Sequence, residues 1–275
     1  MGHKYLVSLI SDSTGETLDR IFLALKSQFY NFDYEKKEYI FIRTKDQVDK
    51  IIKVNEGKNN SIVLYTIVET KLAKYISLKC NQRNIPCFSI LGNLILNFSK
   101  ILNKKATHIP SAQHILDDNY YKRIEAIQFS MDHDDGMKTE DIKNADIILL
   151  GVSRTSKTPT SIYLANRGYK TLNIPLVGSQ DVPIILKEKL DQFCVIGLSV
   201  EAERLSAIRA NRLETMKDKK NSSYSNLEFI KKEIENSKKM FKKYNWPVID
   251  VTRRSVEETA ASIIRIFDIK NKEKK

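Results

Sequence analysis

Short apolar runs alternate along this chain with longer stretches whose apolar residues recur at three- and four-residue spacing, and that alternation predicts strands and helices in turn. Tyr5 to Ser11, Glu38 to Ile42, Ser61 to Ile67 and Ile85 to Ile90 have the length and β-branched character of strands. Leu18, Phe22, Leu25 and Phe29 mark a helix after the first, and Leu72, Ile76 and Cys80 a shorter one after the third. A second series opens with the unbroken apolar run Ile147-Ile148-Leu149-Leu150. It continues through a helix from about Pro159 to Arg167, ended by Gly168, and predicts strands at Thr171 to Ile174, Phe193 to Leu198 and Pro247 to Val251. Further helices are expected over Glu201 to Met216, Leu227 to Tyr244 and Val256 to Phe267, with an exposed loop at Lys217 to Asn226 and a frayed lysine-rich tail from Lys270. Between the series lie the polar stretch Asn103 to Asp117, a helix through Tyr120 to Met131, and a turn at His133-Asp134-Asp135-Gly136. Such alternation implies an α/β fold with a mostly parallel sheet, here divided into two domains, 1–139 and 140–275. No segment repeats at a fixed period.

Composition narrows the class. Of 275 residues, 41% are hydrophobic and 29% charged, ample for a core and unlike a disordered polar chain. No apolar run approaches the ~20 residues that span a bilayer, and no small-residue cleavage site follows the N-terminus, so neither a membrane partner nor export is expected. Cys80, Cys87 and Cys194 cannot all pair, and none belongs to a Cys-x-x-Cys pair, which fits a reduced, cytoplasmic protein. Lys and Arg number 46 against 34 Asp and Glu, a net charge of +12. That surplus is compatible with nucleic acid, a membrane surface, a phosphorylated ligand or simply a solvated lysine-rich surface.

The segment Gly151-Val152-Ser153-Arg154-Thr155-Ser156-Lys157-Thr158 follows a buried strand and precedes a helix. It matches the nucleotide phosphate loop G-x-x-x-x-G-K-[ST] except that Ser156 replaces the second glycine. The residue types suit the chemistry: backbone N–H groups and the helix N-terminus hold phosphate oxygens, the lysine neutralises the terminal phosphates, and the threonine hydroxyl ligates Mg²⁺. Pro159 suits the first turn of the following helix, and Arg154 is a phosphate ligand that a purely structural turn would not need.

Other candidates are less selective. Ser11-Asp12-Ser13-Thr14-Gly15-Glu16-Thr17 also sits at a strand-to-helix junction, where ligand binding and capping by Ser13 or Thr14 are equally open readings. Asp132, His133, Asp134 and Asp135 suit a metal site, a general base or an ordinary turn. Arg204, Arg209 and Arg212 edge an amphipathic helix that is either a solvated face or an anion clamp. His108 and His114 lack metal-ligand spacing, which discounts zinc. No Gly-x-Ser-x-Gly elbow and no aromatic-basic strand occurs, so hydrolase and RNA-binding readings recede and no nucleic-acid partner is expected.

Four segments in order resemble one family. Gly151 to Ala165 (GVSRTSKTPTSIYLA), Ser11 to Thr17, Tyr121 to Ile127 running on to His133–Gly136, and Asp250 to Ala260 (DVTRRSVEETA) are similar to the pyruvate, phosphate dikinase regulatory proteins and the related phosphoenolpyruvate synthase regulatory proteins. The resemblance implies a phosphate-loop kinase-like second domain and a bifunctional serine/threonine kinase and phosphorylase. Such proteins phosphorylate a dikinase threonine with ADP, which inactivates the enzyme, and remove that phosphate with inorganic phosphate, forming pyrophosphate. Carried over, Gly151 to Thr158 would hold ADP, Lys157 and Arg154 would stabilise the moving phosphoryl group, and Thr158 would hold Mg²⁺. Asp134 or Asp135, with Asp12 behind them, would act on the threonine hydroxyl. A dikinase partner and a homodimer are likewise implied. A small-molecule phosphate-loop kinase and a basic nucleic-acid-binding module are the rival readings.

Overall fold

Each half of the chain builds its own parallel sheet, in a computed structural model that describes residues 4–58, 60–113, 116–176, 182–188, 192–216 and 224–273. The first unit, to residue 115, runs β1 (Tyr5–Ser11), α1 (Glu16–Lys26), β2 (Tyr34–Tyr39), α2 (Lys45–Asn55), β3 (Ser61–Thr66), α3 (Thr70–Gln82), β4 (Cys87–Ser89) and α4 (Gly92–Leu102). The second, from residue 116, opens with α5 (Asp118–Asp132) and two 3₁₀ turns, Asp134–Gly136 and Thr139–Asn144. It continues with β5 (Ile147–Val152), α6 (Lys157–Ala165), β6 (Thr171–Leu176), α7 (Ile184–Glu188) and β7 (Cys194–Ser199). It ends with α8 (Ala202–Met216), α9 (Leu227–Lys243), β8 (Val248–Asp250) and α10 (Val256–Glu273).

The strand orders are β2-β1-β3-β4 and β6-β5-β7-β8, parallel throughout. The two units therefore repeat one topology without a repeated sequence, because strand order depends on burial and connection length rather than on residue identity. In each, the first strand is interior and the chain departs from it to opposite sides, which leaves a crevice at the carboxyl ends of β1/β3 and β5/β7 where α/β folds bind ligands. β5 is buried at all six positions. Its Ile147 and Leu149 meet Leu164 and Ile196 on one face, and its Ile148 and Leu150 meet Leu172, Phe193 and Trp246 on the other. A strand covered on both sides needs a continuous apolar run, as this one has.

Several expectations shift. The boundary moves upstream from 139/140 to 115/116, because α5 packs on α6 and β6. β2 occupies Tyr34–Tyr39 rather than Glu38 to Ile42: its pairing starts with Tyr34 opposite Tyr5, and Phe41, at φ 53°, lies in a turn. An edge strand with Lys36 bridged to Asp19 and Glu38 carries no apolar run to betray it. α2 was not among the expected helices, although Val48, Ile51 and Ile52 recur at helical spacing and Thr44 and Gln47 form a capping box. α6 begins at Lys157, with Pro159 inside its first turn. α10 runs on to Glu273, and Lys270 donates to the Phe193 carbonyl at 2.7 Å, so residues 270–273 are helical where fraying was expected. Of the expected exposed loop, 217–223 lie outside the described residues, as do His114 and 274–275. Among the described residues, no helix is long and apolar enough to cross a membrane.

Candidate functional site

Residues 153–156 join a fully buried central strand to a helix N-terminus. Arg154 (φ 74°) and Ser156 (φ 58°) are both left-handed, a backbone pattern that turns successive N–H groups inward as an anion cradle. Ser156 is the N-cap of α6 and gives it no side-chain cap, so the first N–H groups of the helix remain open to a ligand. Gly151 is required beneath the loop: a Cβ there would lie 2.7 Å from Thr155 Oγ1 and 2.8 Å from the Leu198 carbonyl oxygen. Thr155 in turn donates to the Val152 carbonyl at 2.9 Å.

Lys157 is 5% exposed and its Nζ donates to the Val152 carbonyl at 3.1 Å. Burial draws its pKa down to about 8; Asp135 and Asp134 oppose that shift, while Arg209 and Arg154 add to it. A buried ammonium beside two further cations is poised for an anion.

The Asp134–Gly136 turn forms the facing wall. Thr158 Oγ1 donates to Asp134 Oδ1 at 3.0 Å; Asn173 Nδ2 donates to the same oxygen and, at 3.2 Å, to Thr158 Oγ1. β6 holds the turn in place, since the Asn173 N–H donates to the His133 carbonyl at 3.2 Å. His133 is buried, stacked on Phe129, with Nδ1 2.7 Å from the Phe129 carbonyl oxygen. It is an anchor for the turn. Asp135 (φ 50°) is exposed and makes no side-chain hydrogen bond among the described residues.

Between loop and turn lies a cavity of about 710 Å³, closed further by Pro175, Ile208, Arg212 and Tyr224, within the ~300–1,000 Å³ usual for small-molecule sites. Ser153, Arg154, Ser156, Lys157 and Thr158 all line it, with Asp134 and Asp135. Gly151, Val152 and Thr155 support it from below. Arg209 is not an anion clamp. It is 2% exposed and donates to Glu233 Oε2 (2.7 Å), the Tyr224 carbonyl (3.1 Å) and the Ser153 carbonyl (3.2 Å), with its guanidinium 4.7 Å from the Tyr224 ring centre. Arg212 reaches the cavity, and Arg204 is exposed.

Three contributors escaped the sequence reading: Asn173, Tyr224 and Glu233. Asn173 had a signal, a polar residue inside the apolar strand Thr171-Leu-Asn-Ile174. Tyr224 had a weaker one, as the aromatic in a Lys/Asn/Ser stretch.

In the first unit, Ser11 to Thr17 line a smaller hollow of about 210 Å³ with Thr66, Val68 and Ser111. α1 is preceded by Gly15 at φ 83° with no side-chain cap, so Ser13 and Thr14 do not cap it. Asp12 is held locally: its carboxylate accepts from the Val68 N–H at 2.7 Å, and burial pushes its pKa up.

The family model described as kinase/pyrophosphorylase matches residues 7–264. The chain belongs to the kinase/pyrophosphorylase family. Over 269 residues it is 61% identical to a protein of Pelagibacter ubique provisionally named pyruvate, phosphate dikinase regulatory protein, covering 98% of each chain. Proteins with the same provisional name from Erythrobacter litoralis and Rhizobium meliloti are 43% identical over 261 residues (94% of this chain, 93% of that one) and 44% identical over 259 (94% of each). The kinase/pyrophosphorylase match spans both units and takes in all four segments that carried the resemblance.

Proposed function

We propose that the chain is a bifunctional regulator of pyruvate, phosphate dikinase, which phosphorylates a threonine of that enzyme with ADP and removes the same phosphate with inorganic phosphate. The observation that carries this reading is the facing of Lys157 and Arg154 by Asp134 and Asp135 across one cavity. The 61% identity to a protein provisionally named as such a regulator supports the target.

In the forward direction the threonine oxygen attacks the β-phosphorus of ADP. The bond to the α–β bridging oxygen breaks, AMP leaves, and the hydroxyl proton passes to a carboxylate. In reverse, an oxygen of inorganic phosphate attacks the phosphothreonine phosphorus, pyrophosphate leaves, and the threonine oxygen regains a proton. Asp135 takes the proton role, because Asp134 is already committed to Thr158 and Asn173 whereas Asp135 faces the cavity unbonded. Lys157, released from the Val152 carbonyl, and Arg154 neutralise the phosphoryl oxygens of a loose transition state. The hydroxyl of Thr158, the carboxylate of Asp134 and the buried, unpartnered Oδ1 of Asn173 make an all-oxygen donor set that suits Mg²⁺. Bound there, Mg²⁺ supplies further charge neutralisation.

The test incubates the protein with purified dikinase and ADP labelled in the β-phosphate. Label is expected on a dikinase threonine and is expected to vanish with Lys157→Ala. Asp135→Asn should slow both directions at least 100-fold, in the range of a lost general base, while still binding ADP. Transfer from ATP alone, or only to a small molecule, would overturn the reading. A parallel arm with phosphoenolpyruvate synthase reports whether that enzyme is the target instead.

A further inference from the structure

Two cavities adjoin at the phosphate loop. Beside the cavity of about 710 Å³ lies another of about 440 Å³, lined by Arg154, Ile208, Asn211, Arg212 and Thr215. Arg154, Ile208 and Arg212 line both, whereas Asp134, Asp135, Thr158 and Pro175 line the first alone, so the second opens on the side away from the Asp134–Gly136 turn. Its α8 residues recur at i, i+3, i+4 and i+7, one helix face on the order of 10 Å long. Buried Leu205 and Arg209, the latter tied to Glu233 and the Ser153 carbonyl, fix the rotation that presents this face. Among the described residues the Asn211 side-chain amide makes no hydrogen bond, and Thr215 donates to the Asn211 carbonyl at 2.8 Å, which leaves its own lone pairs open. At the junction of the cavities Arg154 Nε is buried without a partner. No carboxylate lines the second cavity among the described residues.

We propose that the second cavity holds the nucleoside of ADP, its base against Ile208 with a polar edge at Asn211, and its α-phosphate at Arg154 and Arg212. The direction of transfer decides this. Phosphoryl transfer needs the attacking and leaving oxygens roughly in line, on opposite sides of the phosphorus. With Asp135 as the proton acceptor, the threonine oxygen enters from the Asp134–Gly136 turn. The leaving AMP therefore points the other way, past Arg154 to α8. The chemistry of the walls agrees: two guanidinium groups suit a phosphate ester, Ile208 is an apolar floor for a base, and an unbonded amide can pair with the N6 and N7 edge of adenine. The assignment rests on the ADP-dependent reading of the loop and distinguishes its two directions. Inorganic phosphate and pyrophosphate carry no nucleoside, so dephosphorylation leaves the second cavity unused.

Titration calorimetry on the full chain with Mg²⁺ compares ADP with pyrophosphate, the same diphosphate without its nucleoside. Asn211→Trp, which fills the second cavity from an exposed position, should weaken ADP binding at least tenfold and pyrophosphate binding less than threefold. An unchanged ADP affinity in that variant overturns the assignment, and so does an equal loss for both ligands, which would put the damage in the loop. A wild type that binds pyrophosphate but not ADP overturns the ADP-dependent reading as well. One that binds ADP and transfers its β-phosphate, with Asn211→Trp unaffected, overturns the nucleoside assignment alone. Should Asn211→Trp fail to fold, photolabelling of the wild type with 8-azido-ADP decides: label on a peptide spanning Ile208 to Thr215 supports the assignment, and label confined to other peptides overturns it.

Discussion

At the scale of single residues, the charge of Lys157 is a variable near neutral pH. Its pKa of about 8 sets two opposite pH dependences. Anion binding needs the ammonium, so ADP affinity should be flat to about pH 7 and fall about tenfold per unit above 8, as titration calorimetry across pH would register. The stability of the ligand-free protein runs the other way. The folded pKa lies below the ordinary value of 10.5, so the unfolded chain holds this proton more tightly, and the lysine's contribution rises as pH climbs from 8 toward 10.5. The stability difference between wild type and Lys157→Met in denaturant titrations should shift toward the wild type across that window and stay constant below it. Ser156 carries a second prediction. At φ 58° a non-glycine residue pays ~1–2 kcal/mol, so Ser156→Gly should gain about 0.5–1 kcal/mol in urea denaturation, after the extra freedom of the unfolded glycine. ADP binding should persist, since the cradle is backbone. The departure from the general motif is thus a strained version of the same geometry.

At the scale of elements, the loop is held from two sides. β6 fixes the Asp134–Gly136 turn through Asn173 and His133, and α8 with α9 fixes Ser153 through Arg209 and Glu233. Arg209→Met should therefore cost about 2–3 kcal/mol, because it strands two carbonyls and a partly buried carboxylate, and should weaken ADP binding at least tenfold. Arg212→Met should weaken binding with little change in stability, a split that denaturation and calorimetry on the two variants would resolve. How legible these elements were follows from their position. β5, buried on both faces, announces itself as an apolar run; β2, at an edge, is an alternation of charge that resembles surface. The loop was readable because its chemistry is local, a strand, eight residues and a helix in succession. Asn173 and Tyr224 were not, because each acquires its role from residues distant in the chain.

At the scale of the whole molecule, the net charge of +12 resolves into a few cations with an assignment and many without. Lys157, Arg154 and Arg212 face the cavity, and Arg209 is taken up by Glu233. A site of this kind holds its anion by directed hydrogen bonds, so raising salt from about 50 to 200 mM should weaken ADP binding only severalfold. Duplex DNA held by 6–10 phosphate contacts would lose about 10³–10⁵ over the same range. A DNA affinity that survives the higher salt and competes with ADP would reopen the nucleic-acid reading.

The sequence by itself determined the α/β class, the β5–loop–α6 unit and the kinase/pyrophosphorylase membership, all of which rest on periodicity, local backbone preference and contiguous motifs. Tertiary structure alone decided where the units divide, that both sheets share one strand order, and that Asp134 is committed to Thr158 and Asn173 while Asp135 stays open. It alone diverted Arg209 from ligand to brace. Those outcomes depend on which distant residues meet and compete for the same hydrogen bonds, and a linear pattern carries no record of that competition.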